Sequence, residues 1–225
     1  MSNYCDKLKK HHQQLLEATY PPKAKFLSEL ESGTLPMDKF RTFAIQKYIV
    51  NRHFKKFIGV LAAKFPQHFE HTTKQAAAEV LGKVIANVNP EVKFDKICKE
   101  LKISDTEIHP NLVTKGFCDY LMMIAYNQGY KEALVVAVSM KMIFEKNKTI
   151  YGKSSTNPLY KEALEQPDNT LTDFMTWAET TLNTVMKPVP EVTPKHLSVL
   201  QYALQWEAAI LAAAAEPQKW QWPVQ

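Results

Sequence analysis

Apolar side chains recur at steps of three and four residues from one end of this chain to the other, and no stretch alternates with a period of two. At about 3.6 residues per turn, such steps line up on one face of a helix. The pattern therefore demands a protein built from amphipathic helices and gives no reason to expect strands. Only 6 glycines occur in 225 residues, which leaves little material for tight β-turns or phosphate-cradling loops. No G-x-G-x-x-G or G-x-x-x-x-G-K-[ST] string is present, so nucleotide binding through such loops is not expected.

Helix boundaries follow from local chemistry. Ser32-Gly33 stops the helix around FLSEL, and LPMDKF opens the next, with Asp38 in its first turn, where a carboxylate suits the positive helix end. HTTKQAAAEVLGKVIANV reads as a helix after Pro66 that ends at Asn89-Pro90, and EVKFDKICKELK as a short amphipathic one. Pro110 precedes NLVTKGFCDYLMMIAYN, Asn127-Gln128-Gly129 is a turn, and YKEALVVAVSMKMIFEKNKTIY follows. GKSSTNP is a loop before TLTDFMTWAETTLNTVM, and the Pro-rich joint KPVPEVTP leads into a last helix from Pro194 to about Glu216. Eight to ten helices with short connections make a multi-helix bundle. No composition shift or repeat divides the chain, so residues 1–225 are read as a single domain.

The formal charge of +5 is mild, and its lysines alternate with acids, as in DKLKK and KEALEQ. This describes solvated helix faces rather than a nucleic-acid surface. The longest apolar run, AAILAAAA, is too short to span a membrane, and the N-terminal stretch lacks the apolar core of a signal peptide. Three cysteines (Cys5, Cys98, Cys118) share no close spacing, so neither a disulfide framework nor a zinc site is expected. A reducing cytoplasm is the expected location.

Two charges interrupt otherwise apolar faces. Phe40, Phe43, Lys47, Val50, Phe54, Phe57 and Leu61 form one helical stripe with an ammonium in its middle. Leu200, Leu204, Glu207, Leu211 and Ala214 form another, with a carboxylate. An unpaired buried charge costs several kcal/mol, of order 3–5, or must neutralise. Periodicity leaves two arrangements open. Each side chain could snorkel to water from the edge of its stripe, or the two helices could face a common interior lined by both charges.

The segment ELESGTLPMDKFRTFAIQKYIVNRHF resembles the opening of TenA-type proteins, the thiaminase II group with a heme-oxygenase-like helical fold. Gly33, Leu35, Pro36 and Phe40 match its G-x-L-P-x-x-x-F string, with Gln46-Lys47 where a Gln-Asp pair stands and His53-Phe54 at a His-Phe pair. The likeness continues through GYKEALVVAVSMKMIFEK and LQWEAAI, covering residues from about 10 to 215. It implies an all-α bundle with a central pocket. In active members it also implies cleavage or deamination at a thiamin-derived pyrimidine by a cysteine nucleophile helped by an aspartate, tyrosines and a glutamate.

Most of those positions are altered here. Lys47 replaces the aspartate, Val50 a tyrosine, Phe117 the tyrosine of the middle helix, Met140 the nucleophilic cysteine and Phe144 another tyrosine; only the glutamate persists, as Glu207. A thioether cannot replace a thiolate, so no thiaminase II activity is expected. The resemblance thus implies a divergent member that binds a small organic ligand against Phe43, Lys47, Val50, Phe117, Met140 and Phe144, with Glu207 as the one plausible acid or base. Lys47 and Glu207 would either close on each other or be divided by the ligand, Lys47 then holding an anionic group. No cofactor is expected, and the fold group suggests a homodimer or homotetramer.

Other constellations carry less. The fold group also hosts metal oxidases and pyrroloquinoline-quinone synthase. Gln46 and His53 have the seven-residue spacing of a di-iron carboxylate and histidine, but an amide is a poor iron ligand and YALQWEAAILAAAA contains no histidine. His53 is then expected to bond a backbone carbonyl at the edge of the core. Cys118 lies about 100° of helix rotation from Phe117 and could supply a substitute thiol, or serve as an inert core residue. His11-His12, beside lysines, reads as solvated. His68 and His71 could form a surface metal site, and the tail KWQWPVQ could fold back over a groove.

Overall fold

The structure, a computed structural model, describes residues 3–19, 25–64, 79, 82, 86, 91–151, 157–164, 169–187 and 191–216. Nine α-helices occur among these residues, and no strand. They are α1 (Tyr4–Thr19), α2 (Lys25–Ser32), α3 (Met37–Lys64), α4 (Glu91–Glu100), α5 (Leu112–Asn127), α6 (Tyr130–Tyr151), α7 (Pro158–Leu164), α8 (Asn169–Val185) and α9 (Pro194–Ala215). Of the expected helix over HTTKQAAAEVLGKVIANV only Glu79, Gly82 and Ala86 are described, each helical; His68, His71, the body of the GKSSTNP loop and the KWQWPVQ tail lie outside the described residues.

The breaks fall where the chain's own chemistry puts them. Gly33 takes φ 75°, a left-handed conformation open to glycine without strain, and ends α2. Leu35, two residues on, is buried, and its carbonyl accepts a hydrogen bond from Tyr160 on α7 at 2.7 Å. The Tyr160 ring packs against Phe40 with centroids 4.4 Å apart. The G-x-L-P-x-x-x-F string is thus a corner: glycine turns the chain, leucine seals it, proline starts α3 and phenylalanine anchors it. Asn111 caps α5 by accepting from the Thr114 amide at 2.8 Å. Thr193 caps α9 by accepting from the His196 amide at 3.2 Å, with Pro194 in the first turn.

Two helices organise the packing. In α6 every residue from Glu132 to Met140 is buried, so this helix lies inside the bundle rather than on it. Helix α9 touches α1, α2, α3, α5 and α6. Its fully buried alanines at 203, 213 and 214 keep its sides narrow enough for so many neighbours. The stripe read from α3 is buried at all seven positions, Lys47 included, and the stripe read from α9 at all five, Glu207 included. One contiguous apolar cluster draws on every described helix, Phe43, Val50, Phe117 and Met140 among its members. Among the described residues no helix is long and apolar enough to cross a membrane.

One expectation is corrected. His12 is buried, not solvated. Its four-residue step from Leu8, itself four from Tyr4, puts it on the inward face of α1, and that spacing outweighs the polar company of its neighbours.

Candidate functional site

Lys47 and Glu207 meet. The Lys47 ammonium donates to Oε1 of Glu207 across 160 residues of chain, and the two side chains are 10% and 1% exposed. Snorkelling is therefore ruled out for both. The positions are dictated by the helices: α3 and α9 pack against each other, and the one charge in the buried stripe of each meets the other. Neither charge alone could remain there at modest cost, and together they offset most of it. The arrangement is the closed one, ammonium directly on carboxylate.

Glu207 has a second oxygen, and that oxygen is unaccompanied. Oε2 is buried and has no hydrogen-bond partner in the protein. A carboxylate has room for about four hydrogen bonds, and leaving a buried acceptor unmade costs about 1–3 kcal/mol. The Lys47 ammonium also stands 5.9 Å from the centroid of the Phe43 ring, near enough for a cation–π attraction. Trp206, adjacent to Glu207, stacks on Phe117 with centroids 6.4 Å apart. Gly116 makes that stacking possible, because a Cβ there would fall 2.5 Å from the Trp206 ring.

The structure accordingly brings together Lys47, Glu207 and Phe43, and sets Phe117 against the tryptophan beside Glu207. Val50 and Met140 are buried in the same apolar cluster. The side chain of Phe144 lies outside the described residues, although its backbone continues α6.

No activated nucleophile accompanies these groups among the described residues. Burial pushes all three thiols up, Cys5 and Cys118 to about 12 and Cys98 to about 11, which keeps them protonated near neutrality. Cys118 packs with Ile45 and Ile49 in a small cluster separate from the main core, so it is an inert core thiol. Ser139, next to Met140, donates its hydroxyl to the Val135 carbonyl at 2.6 Å. Its proton is thus committed to its own helix.

Gln46 and His53 are likewise committed. The Gln46 amide donates to the His109 carbonyl at 3.1 Å and accepts from the Asn111 amide at 3.0 Å, stapling α3 to the segment that starts α5. His53 bonds the Ile49 carbonyl through Nδ1 at 3.0 Å. Among the described residues no three His, Cys, Asp or Glu side chains converge as a metal site would require.

A second polar cluster escaped the sequence reading. The Tyr4 hydroxyl and His196 Nδ1 lie 2.6 Å apart, His196 Nε2 lies 3.8 Å from Glu132, and Lys195 pairs with Glu132 at 2.8 Å. Burial lowers the His196 pKa, opposed by Glu132, so the imidazole is held neutral. The cluster ties the beginnings of α1, α6 and α9 together. Its one local signal was Tyr4 at the head of the stripe that also contains Leu8 and His12.

Architecture and comparisons agree on the class: an all-helical bundle of the heme-oxygenase-like kind. A domain of unknown function from Shewanella denitrificans OS217, described as having a heme oxygenase-like fold, superposes with TM-score 0.63 at 11% identity, over 95% of this chain and 91% of that one. A TenA homologue from P. horikoshii OT3 gives TM-score 0.74 at 17% identity, over 95% and 98% of the two chains. A TenA-like protein of Sulfolobus solfataricus P2 gives 0.73 at 16%, over 98% and 99%. Within that class, residues 10–216 match the TENA/THI-4/PQQC family, and the chain belongs to it. No curated protein matches the chain in sequence.

Proposed function

We propose that this protein binds a small organic molecule in its core between α3, α5, α6 and α9, against Phe43, Lys47, Val50, Phe117, Met140 and Phe144, and that it lacks thiaminase II activity. The observation that carries the reading is the buried Lys47–Glu207 pair with its spare carboxylate oxygen. Apolar residues would fill such a position at least as stably, so a buried ion pair with an acceptor unmade fits a site that orients a ligand. Met140 supplies no nucleophile where the family resemblance expects a thiolate, and Glu207 is left as the one acid–base group. Any residual chemistry is proton transfer rather than covalent catalysis.

Two measurements test this. Thiamin and aminopyrimidine substrates, incubated at high protein concentration, are expected to give no product above the protein-free control; turnover would overturn the loss of activity. A thermal-shift screen of small neutral, acidic and basic compounds is expected to yield stabilisers of the wild type that do nothing for Lys47→Met. The three cysteines, free and buried, fit a reducing cytoplasm. A homodimer or homotetramer belongs to the same reading, with sedimentation velocity as its check.

A further inference from the structure

From the charge balance around Glu207 we infer that the ligand is electrically neutral and presents a hydrogen-bond donor beside an acceptor, as the edge of a primary amide, lactam or urea does. The inference rests on the proposal that the pair belongs to a ligand site, and it adds the chemical class that site selects.

Lys47 and Glu207 cancel each other's charge. Apart from thiols and phenols, the other buried ionisable side chains among the described residues are His12, Glu132 and His196. Glu132 is neutralised by Lys195, and His196 is engaged with Tyr4. Along α9, His196 precedes Glu207 by eleven residues, about 16 Å at about 1.5 Å per residue. Neither Glu132 nor His196 is in position to balance a charged guest beside the pair. An anion would compete with Glu207 for Lys47 and leave one negative charge unmatched in the core. A cation would compete with Lys47 for Glu207 and leave a positive one. Either excess is costly away from water.

A neutral donor–acceptor edge avoids both penalties. Its N–H or O–H reaches Oε2 of Glu207, the buried acceptor with no partner in the protein. Its carbonyl or ring nitrogen accepts from Lys47, whose ammonium has three N–H bonds and gives one to Oε1. The ion pair stays intact, and both new bonds are charge-assisted. The adjacent Phe43 ring, and Phe117 stacked against Trp206, favour a flat apolar body behind that edge.

Benzamide, benzoate and benzamidine share one shape and differ in charge, so they separate the possibilities on the wild-type protein. Each is titrated while the backbone amide resonances of α3 and α9 and the melting temperature are followed. Benzamide is expected to bind at least tenfold more tightly than either charged analogue, shifting the resonances of Lys47 and Glu207. The double variant Lys47→Met/Glu207→Leu, its folding checked by circular dichroism, is expected to lose that binding. Equal or tighter binding of benzoate or benzamidine, lost in the double variant, overturns the charge class and leaves the ligand site standing. Benzamide binding that survives in the double variant, or no response to any of the three, overturns the site itself.

Discussion

Glu179 and Glu207 are both carboxylates on long helices facing lysines, and the protein uses them differently. On α8, Glu179 accepts from Lys9 of α1 through Oε1 and from Lys141 of α6 through Oε2, each at 2.5 Å. Both its oxygens are engaged, and the Lys9 side chain is 43% exposed. Burial works against its ionisation, but the hydrogen bonds from Lys141 and Lys9 outweigh that and lower its pKa. Glu207 lies deeper, faces one lysine and keeps one oxygen free of protein partners. The Glu179 cluster is complete and sits where water can help, as structural clamps do. The Glu207 pair is incomplete and sits where water cannot easily help, so its spare bonding capacity points to a guest.

Removing one partner from each pair should break the comparison most sharply. Glu207→Gln leaves the Lys47 charge buried without a counter-charge and is expected to cost about 3–5 kcal/mol in urea-induced unfolding. A loss as small as that of a surface pair would place the site in water instead. Next comes Gly116→Ala, whose new methyl would strike the Trp206 ring. About 1–3 kcal/mol of destabilisation is expected, with altered tryptophan fluorescence, and the effect should be confined to the Glu207 side of the molecule. Glu179→Gln should cost only about 1 kcal/mol, because Lys9 can turn to solvent.

The smallest effect concerns acid. Hydrogen bonds from Arg41, then from the Ser104 amide and hydroxyl, hold Glu107 down at about 2. A carboxylate whose folded pKa is depressed stabilises the protein above its ordinary value near 4.5 and loses that contribution as pH falls toward 2. Glu132 and Glu179 are depressed in the same direction. Urea midpoints are therefore expected to fall through this window, less steeply in Arg41→Ala; an unchanged slope in that variant would remove Glu107 from the account.

How much was legible in the sequence varies with the length scale of each interaction. The α3 and α9 stripes, the Gly33 stop and the Pro194 start are local, set by spacing and backbone preference, and the structure has them where the residues put them. That two charges interrupt apolar stripes was legible from the same spacing, but that spacing left burial and snorkelling both open. That they touch was not legible, because periodicity fixes which way a side chain points but not which helix stands opposite. Tyr4, Glu132 and His196 meet through contacts up to 192 residues apart, and beyond the inward stripe that Tyr4 heads nothing in their surroundings announces it. Gln46 looked like half of a metal-ligand spacing and instead spends both ends of its amide on backbone, a role visible only once α5 is in place.

The central claim is that Lys47 and Glu207 depend on each other inside the core, and a double-mutant cycle measures this directly. Urea unfolding of wild type, Lys47→Met, Glu207→Leu and the double variant gives the coupling between the two positions. The account predicts that each single change costs several kcal/mol, about 3–5, while the double variant returns close to wild-type stability. Additive losses, with coupling below about 1 kcal/mol as for exposed ion pairs, would contradict it.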